Sequence, residues 1–331
     1  MSSAAGAVTR LVSPLLAVAA VVGLGYSLDP VQVGPAPAVR LASDGNPLAG
    51  LPFYVNPASK ARAAADGDPS SPQLNAIANT PTAYWMDNLS TPAVDAKYIA
   101  SAQAAGTMPI LALYGIPHRD CGSFAAGGFG SGDAYRGWID GVASAIGGGP
   151  AAVILEPDAL AMADCLSGDQ RQERFDLMRY AVDTLTANPA TAVYVDAGHS
   201  RWVGAEDMAG RLNDVGVGKA RGFSLNTANF FTTDEEIGYG DAISGLTNGA
   251  HYVIDTSRNG AGPADGDMYW CNPGGRALGA APTTDTGNGN VDAYLWVKRP
   301  GESDGSCGNG EPGAGRFVNS FAIELAHNAG Q

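Results

Sequence analysis

Short apolar runs recur along this chain from about residue 50 to its end. Each is broken off by glycine, proline, aspartate or asparagine. The runs are Phe53-Tyr54-Val55, Ala83-Tyr84-Trp85-Met86, Pro109-Ile-Leu-Ala-Leu-Tyr114, Ala152-Val-Ile-Leu155, Ala192-Val-Tyr-Val195, Gly222-Phe-Ser-Leu-Asn226, Tyr252-Val-Ile-Asp255 and Ala293-Tyr-Leu-Trp-Val297. They are too short for helices and mostly lack strict alternation, so they read as strands buried on both faces. Helical patterns fall between them. One spans 58–65, with Asn56 as cap and Pro57 at its first position. Others span 94–105, ended by Gly106, and 135–146. Another follows Ser167, where Ser167 and Gln170 form a capping box and Phe175, Met178, Val182 and Leu185 share a stripe. A closing helix spans 317–328, with Phe317, Phe321 and Leu325 in register. Strand alternating with helix predicts an α/β fold with a parallel sheet. Seven or eight such units in about 280 residues fit a barrel with outer helices better than an open sheet. No GxGxxG or P-loop follows the first strand, which argues against nucleotide binding.

The first fifty residues read differently. Arg10 precedes an apolar stretch over 11–26, the pattern of a signal peptide or an uncleaved anchor, expected over 1–26. Ala17-Val18-Ala19 resembles a cleavage site but lies inside the apolar run. Residues 27–50 are rich in Pro, Gly and Ala and read as a linker, so order is expected to begin near Leu51 and the catalytic domain to occupy 51–331. The chain is expected to be secreted or extracytoplasmic. Any membrane attachment would rest on the N-terminal segment alone. The 33 acidic against 19 basic residues of the 331 give a formal net charge of −14. That balance disfavours nucleic acid and anionic membrane as partners, and a monomer is expected.

Cys121, Cys165, Cys271 and Cys307 form no CxxC pair and have no histidine at zinc-finger spacing. An even count in an exported chain points to two disulfides. Three pairings are open, with 121–165 and 271–307 the economical one because each closes a local excursion.

Candidate chemistry centres on Leu155-Glu156-Pro157-Asp158. Pro157 cannot donate to a strand ladder, so the strand stops there and Asp158 is held at its C-terminal end. Asp120, Asp158 and Asp196 stand 38 residues apart, about one strand–helix unit, and Asp87 occupies a similar place upstream. A single strand-terminal aspartate is more often a helix cap than a catalyst. Several on one barrel rim raise one another's pKa, which keeps one carboxyl protonated beside an ionised one, the minimum for glycoside hydrolysis. Clustered acids also suit calcium or magnesium. No EF-hand spacing or HxxxH pair is present, so neither a metal nor a cofactor is expected. No GxSxG elbow supports a nucleophilic serine. Trp85, Trp202 and Trp270 fall beside these acids, as platforms for the apolar face of a sugar would. Trp138 reads as core, and Trp296 suits either role.

The chain resembles glycoside hydrolase family 6, the inverting cellulases. The likeness rests on Tyr114-Gly-Ile-Pro-His-Arg-Asp-Cys121, Leu155-Glu-Pro-Asp-Ala-Leu160, Tyr194-Val-Asp-Ala-Gly-His199, Trp270-Cys-Asn272 and Trp296-Val-Lys-Arg-Pro-Gly-Glu-Ser-Asp304, in that order. The resemblance implies a distorted TIM-like barrel of about seven parallel strands and endo-acting hydrolysis of β-1,4-glucosidic bonds. It makes Asp158 the proton donor, Asp120 a second acid that raises the donor's pKa and helps handle the proton from water, Asp304 the general base, Asp196 a supporting acid, and Tyr114 the tyrosine beneath the distorted sugar. It implies substrate contacts from Trp85, Asp87, His199, Trp202, Asn229, Trp270, Lys298 and Glu302. It also implies bridges Cys121–Cys165 and Cys271–Cys307. One departure stands out: Ala125 and Ala126 occupy the loop where the family carries a water-placing serine, with Ser123 and Ser131 as the nearby substitutes. That departure keeps a second reading open, a carbohydrate-binding protein on the same scaffold with weak or lost catalysis. Only 36 residues separate Cys271 from Cys307, which points to an open cleft and endo action.

Overall fold

A computed structural model of the chain describes residues 45–123, 125–308 and 310–331. The segment read as signal or anchor, and the linker up to residue 44, lie outside these residues. Among the described residues, no helix is long and apolar enough to cross a membrane.

Seven strands form the framework: β1 Tyr84–Met86, β2 Ile110–Leu113, β3 Ala151–Leu155, β4 Thr191–Asp196, β5 Gly222–Leu225, β6 His251–Asp255 and β7 Val291–Leu295. They lie side by side in chain order, and every neighbouring pair is parallel. A parallel neighbour needs a crossover of a dozen or more residues. Most of these crossovers are helical: α3 Pro92–Ala104, α4 Gly132–Ile146, α5 Gly168–Thr186, α6 Ala205–Asp214 and α7 Thr233–Leu246. α1 Lys60–Gly67 and α2 Pro72–Ala78 precede the sheet, and α8 Asn319–Asn328 closes the chain.

Alternation along each strand builds two cores. Leu111, Leu113, Val153, Leu155, Val193, Val195, Phe223 and Leu225 face the helices, where they meet Ile139, Met178 and Leu212. Ile110, Ala112, Ala152, Ile154, Ala192, Tyr194, Val253, Ala293 and Leu295 fill the interior. The many alanines let the sheet curl tightly around so small a core. The ring is drawn together at its ends, where the Ala83 amide donates to the Trp296 carbonyl at 2.9 Å and the Trp85 indole to the Val297 carbonyl at 2.8 Å. No ladder joins β1 to β7. The result is a seven-stranded distorted barrel with one seam.

Several sequence expectations need correction. Phe53-Tyr54-Val55 makes a single parallel bridge to Met108 rather than a strand. Pro52 and Pro57 flank it and can donate no ladder bonds. The first helix is capped by Ser59, whose hydroxyl accepts the Arg62 amide at 3.0 Å, while Asn56 closes a turn onto Ala58. Order begins before Leu51, because Leu48 is fully buried under the inner core and Asn46 donates to the Asp292 carbonyl. The helices α2, α6 and α7 were not expected. In α7, Gly238, Gly240 and Gly245 erode the apolar stripe. Gly240 is required by packing, since a Cβ there would stand 2.5 Å from the Tyr252 ring. The capping box of α5 is present as read. Both expected disulfides form, Cys121–Cys165 and Cys271–Cys307.

Candidate active site

The C-terminal ends of the strands open into a cleft of about 650 Å³. Its walls carry Trp85, Asp87, Tyr114, Asp120, Asp158, His199, Trp202, Asn229, Trp270, Lys298, Glu302 and Asp304. Of the expected site residues only Asp196 stands back from the wall, directly behind Asp158. Gathering at this rim follows from topology: parallel strands end together, so residues tens of positions apart in sequence become neighbours.

The backbone that presents the acids is contorted. His118, Asp120, Cys121, Glu156 and Asp158 all have positive φ, between 47° and 68°. For residues with side chains each such conformation costs about 1–3 kcal/mol and persists only where the surroundings enforce it. Here the enforcement is visible. Arg174, buried in α5, donates to the carbonyls of Pro117, His118 and Ala159, and the Cys121–Cys165 bridge ties the first loop to the second. Glu156, fully buried, accepts the amides of Gly115 and Ile116 at 3.0 Å. It thereby holds the turn that follows Tyr114.

Asp158 has its amide fixed by the Asp196 carboxylate at 3.0 Å, but among the described residues no protein group hydrogen-bonds its own carboxyl. Burial pushes that carboxyl well above the usual carboxylate range, the charges of Asp196 and Asp120 push the same way, and Lys298 opposes them. A protonated acid with a free O–H at a cleft wall is the form that donates. Asp196 accepts Thr227 Oγ1 at 2.7 Å, Ser224 Oγ at 2.9 Å and the Asp158 and Gly198 amides at 3.0 Å. Burial raises it too, and these four donors limit the rise.

Asp120 accepts the Ala125 amide at 2.8 Å. Burial raises its pKa, while Ala125, Arg119 and the Ser123 hydroxyl hold it down. Of the two substitutes considered, Ser123 lies beside Asp120. Ser131 does not, because its hydroxyl caps α4 by accepting the Ala134 amide.

Asp304 differs from the other acids. Its carboxylate is clamped by Arg258 and Lys298, each at 2.8 Å, and takes the Asn272 amide at 3.0 Å. The two cations overcome burial and bring its pKa down to about 2. This makes Asp304 a weaker base than a free carboxylate.

Tyr114 lies under the Arg119 guanidinium, 4.3 Å from the ring centroid, and meets Trp85 edge-on at 5.4 Å. Burial and the nearby acids keep it a neutral phenol. Asn229 is buried at the cleft wall, and among the described residues its Oδ1 has no hydrogen-bond partner. Glu302 is buried between Arg299 and Lys60. His199 lies on the cleft wall and is packed among aromatic neighbours. It is 3% exposed, stacks on Phe231 at 4.3 Å, accepts the Arg201 amide and faces the Tyr269 hydroxyl. Burial lowers its pKa to about 4, so the ring is neutral.

Sequence reasoning missed Arg258, Asp255 and Tyr269, and it singled out Glu156 without reading its part in holding the backbone. Asp255 ends β6 and accepts amides from Ala228, Ser257, Val297 and Lys298, binding three loops together. It stands where Asp196 does on β4, a strand-end position visible in the sequence.

These opposite shifts set a stability profile. Glu156 is raised by burial to about 7, so in the interval from its ordinary value of 4.5 the folded chain holds a proton that the unfolded chain has released. Stability contributed there is lost as pH rises through that interval. Asp304 acts at the other end, its contribution lost as pH falls from 3.8 toward 2. Calorimetry across pH 3 to 8 is expected to show the highest melting temperature between these windows. Glu156→Gln is expected to make the neutral side shallower, the raised Glu236 and Asp196 supplying the slope that remains. A melting temperature rising steadily to pH 8 would contradict the assignment.

Comparison with known proteins agrees with this geometry. Residues 48–329 match the sequence profile described as Glycosyl hydrolases family 6. Endoglucanase A of Cellulomonas fimi is 47% identical over 260 residues, which is 77% of this chain and 56% of that protein. The chain thus spans little more than half the length of that relative. A probable 1,4-beta-D-glucan cellobiohydrolase C of Aspergillus terreus is 30% identical, but its alignment runs to 363 positions over 88% of this chain and 77% of its own length. Among solved structures, the endoglucanase Cel6 from Mycobacterium tuberculosis, in complex with methyl-cellobiosyl-4-deoxy-4-thio-beta-D-cellobioside, is 70% identical with a TM-score of 0.85. The match covers 87% of this chain and all of that one. Fold, rim chemistry and sequence agree that the chain belongs to glycosyl hydrolase family 6.

Proposed function

We propose that this chain is an endo-acting β-1,4-glucanase that hydrolyses cellulose or a related β-glucan with inversion at the anomeric carbon. The observation that carries the reading is Asp158, a carboxyl with a raised pKa that no group among the described residues hydrogen-bonds, at the wall of a cleft lined by tryptophans. In this reading Asp158 protonates the leaving oxygen as the glycosidic bond breaks. A water adds to the opposite face of the sugar ring and gives its proton to solvent on the Asp120 side. Asp304, fixed as an anion, stabilises positive charge developing on the ring. Endo action is supported by the names of the relatives at higher identity. The cellobiohydrolase alignment is longer than the stretch of this chain that it covers, so that protein carries insertions this chain lacks. The two disulfides support an exported protein, and attachment through residues 1–26 belongs to the same proposal.

The test uses carboxymethyl cellulose and cello-oligosaccharides. Viscosity is expected to fall faster than reducing ends appear. Proton NMR of early products, read before mutarotation, is expected to show the α-anomer first. β-Anomer first would overturn inversion. Binding without hydrolysis would favour the second reading, the binding protein prompted by Ala125 and Ala126.

A further inference from the structure

Trp202 is the most exposed tryptophan of the cleft wall, and the loop that carries it is anchored by residues not given roles above. Its ring rests on His199 at 5.3 Å, and its amide donates to the His199 carbonyl at 3.1 Å. The segment between them is gripped from below by the first turn of α7. Glu235 accepts Ser200 Oγ at 2.8 Å and takes the Arg201 guanidinium through both oxygens at 2.7 and 2.9 Å. Glu236, fully buried, accepts the Ser200 amide on Oε1 at 3.1 Å, while among the described residues its Oε2 has no hydrogen-bond partner. Stability alone does not call for an acid here: a glutamine accepts the same amide without a charge to bury.

We propose that Glu236 is a positioning residue for substrate, setting the height and tilt of Trp202 over the bound sugar through the Ser200 amide, so that the grip of this subsite depends on its ionisation. The inference rests on the reading of the cleft as a β-glucan site. The groups facing Glu236 are Glu235 and Tyr239 on its own helix, Asp196 at the end of β4, Arg201 on the platform loop and Tyr252 on β6. Burial, together with the charges of Glu235 and Asp196, brings Glu236 to about 7, against the hydrogen bonds from Ser200. Below that pH the acid is neutral and accepts weakly. Above it the carboxylate draws the Ser200 amide more strongly, as charged acceptors do.

The probe is a non-hydrolysable thio-linked cello-oligosaccharide, titrated calorimetrically into the full chain from pH 5.5 to 8.5. Wild type is expected to bind about three- to fivefold more tightly above pH 7 than below it. Glu236→Gln is expected to bind with no such step, with KM rather than kcat carrying the change on cleavable substrates. Glu235→Gln, which keeps the titrating group, and Glu236→Asp are expected to retain a step. Should Glu236→Gln fail to fold, the Asp variant decides, because a shorter acid must move the midpoint. The same step in wild type and Glu236→Gln, an unmoved midpoint in Glu236→Asp, or a loss confined to kcat would overturn the inference. Wild type that binds the probe but hydrolyses no β-glucan would instead overturn the functional reading.

Discussion

Asp158→Asn is expected to reduce kcat on cellulose-derived substrates by about two to four orders of magnitude, the usual worth of a positioned general acid. The fold should not suffer. The native side chain is held in its neutral form, and an amide of the same shape replaces one neutral group by another. Thermal stability close to wild type is therefore part of the expected result. Dinitrophenyl cello-oligosaccharides, whose leaving group needs no proton, are expected to recover much of the loss. Near-normal hydrolysis of carboxymethyl cellulose by a folded variant would remove Asp158 from the donor role. A loss equally deep on the activated substrate would mean that the residue shapes the site rather than protonating it.

Asp304→Ala should affect stability as well as rate. It would leave Arg258 and Lys298, both largely buried, facing each other without their shared anion. Breaking a buried pair in this way costs about 3–5 kcal/mol, and here two cations lose one partner. Thermal denaturation is expected to fall by on the order of 10 °C. Activity is expected to fall too, but azide should not restore it. A small anion replaces a missing base by attacking in place of the activated water, whereas a clamped anion of pKa about 2 has no such proton to take. Azide rescue, with glycosyl azide of inverted configuration among the products, would return the base role to Asp304. Asp304→Asn, which keeps hydrogen-bond acceptance without charge, is expected to lie between wild type and the alanine variant.

The strands were legible because a strand buried on both faces leaves a short apolar word, and Ala152-Val-Ile-Leu155 could be little else. Asp120, Asp158 and Asp196 were legible because unit length repeats. What the chain did not disclose was pairing across the ring. Arg258 lies 46 residues before Asp304, and nothing local links them. Yet that contact lowers the basicity of the expected general base. Glu156 was hidden in plain sight beside Asp158. Whether an acid at a strand end faces the cleft or the backbone behind it depends on φ, and the 52° at Glu156 has no signature in composition. Gly238, Gly240 and Gly245 concealed α7 for the opposite reason. They break local helical preference, and packing against Tyr252 overrides it. Ser123 and Ser131 read alike in the sequence, and only the structure shows that Ser131 is taken up as the cap of α4.

The seam of the barrel has a mechanical consequence. Six of the seven strand junctions are zipped by ladders, whereas the remaining one is held by the Ala83 amide and the Trp85 indole. When the ring is loaded, deformation concentrates where the fewest bonds resist it. The edge beside that junction carries Trp85, a wall of the cleft, whereas Asp158 follows, and Asp196 ends, a strand laddered on both sides. Strain on the ring is therefore expected to move Trp85 before it changes the spacing of those acids.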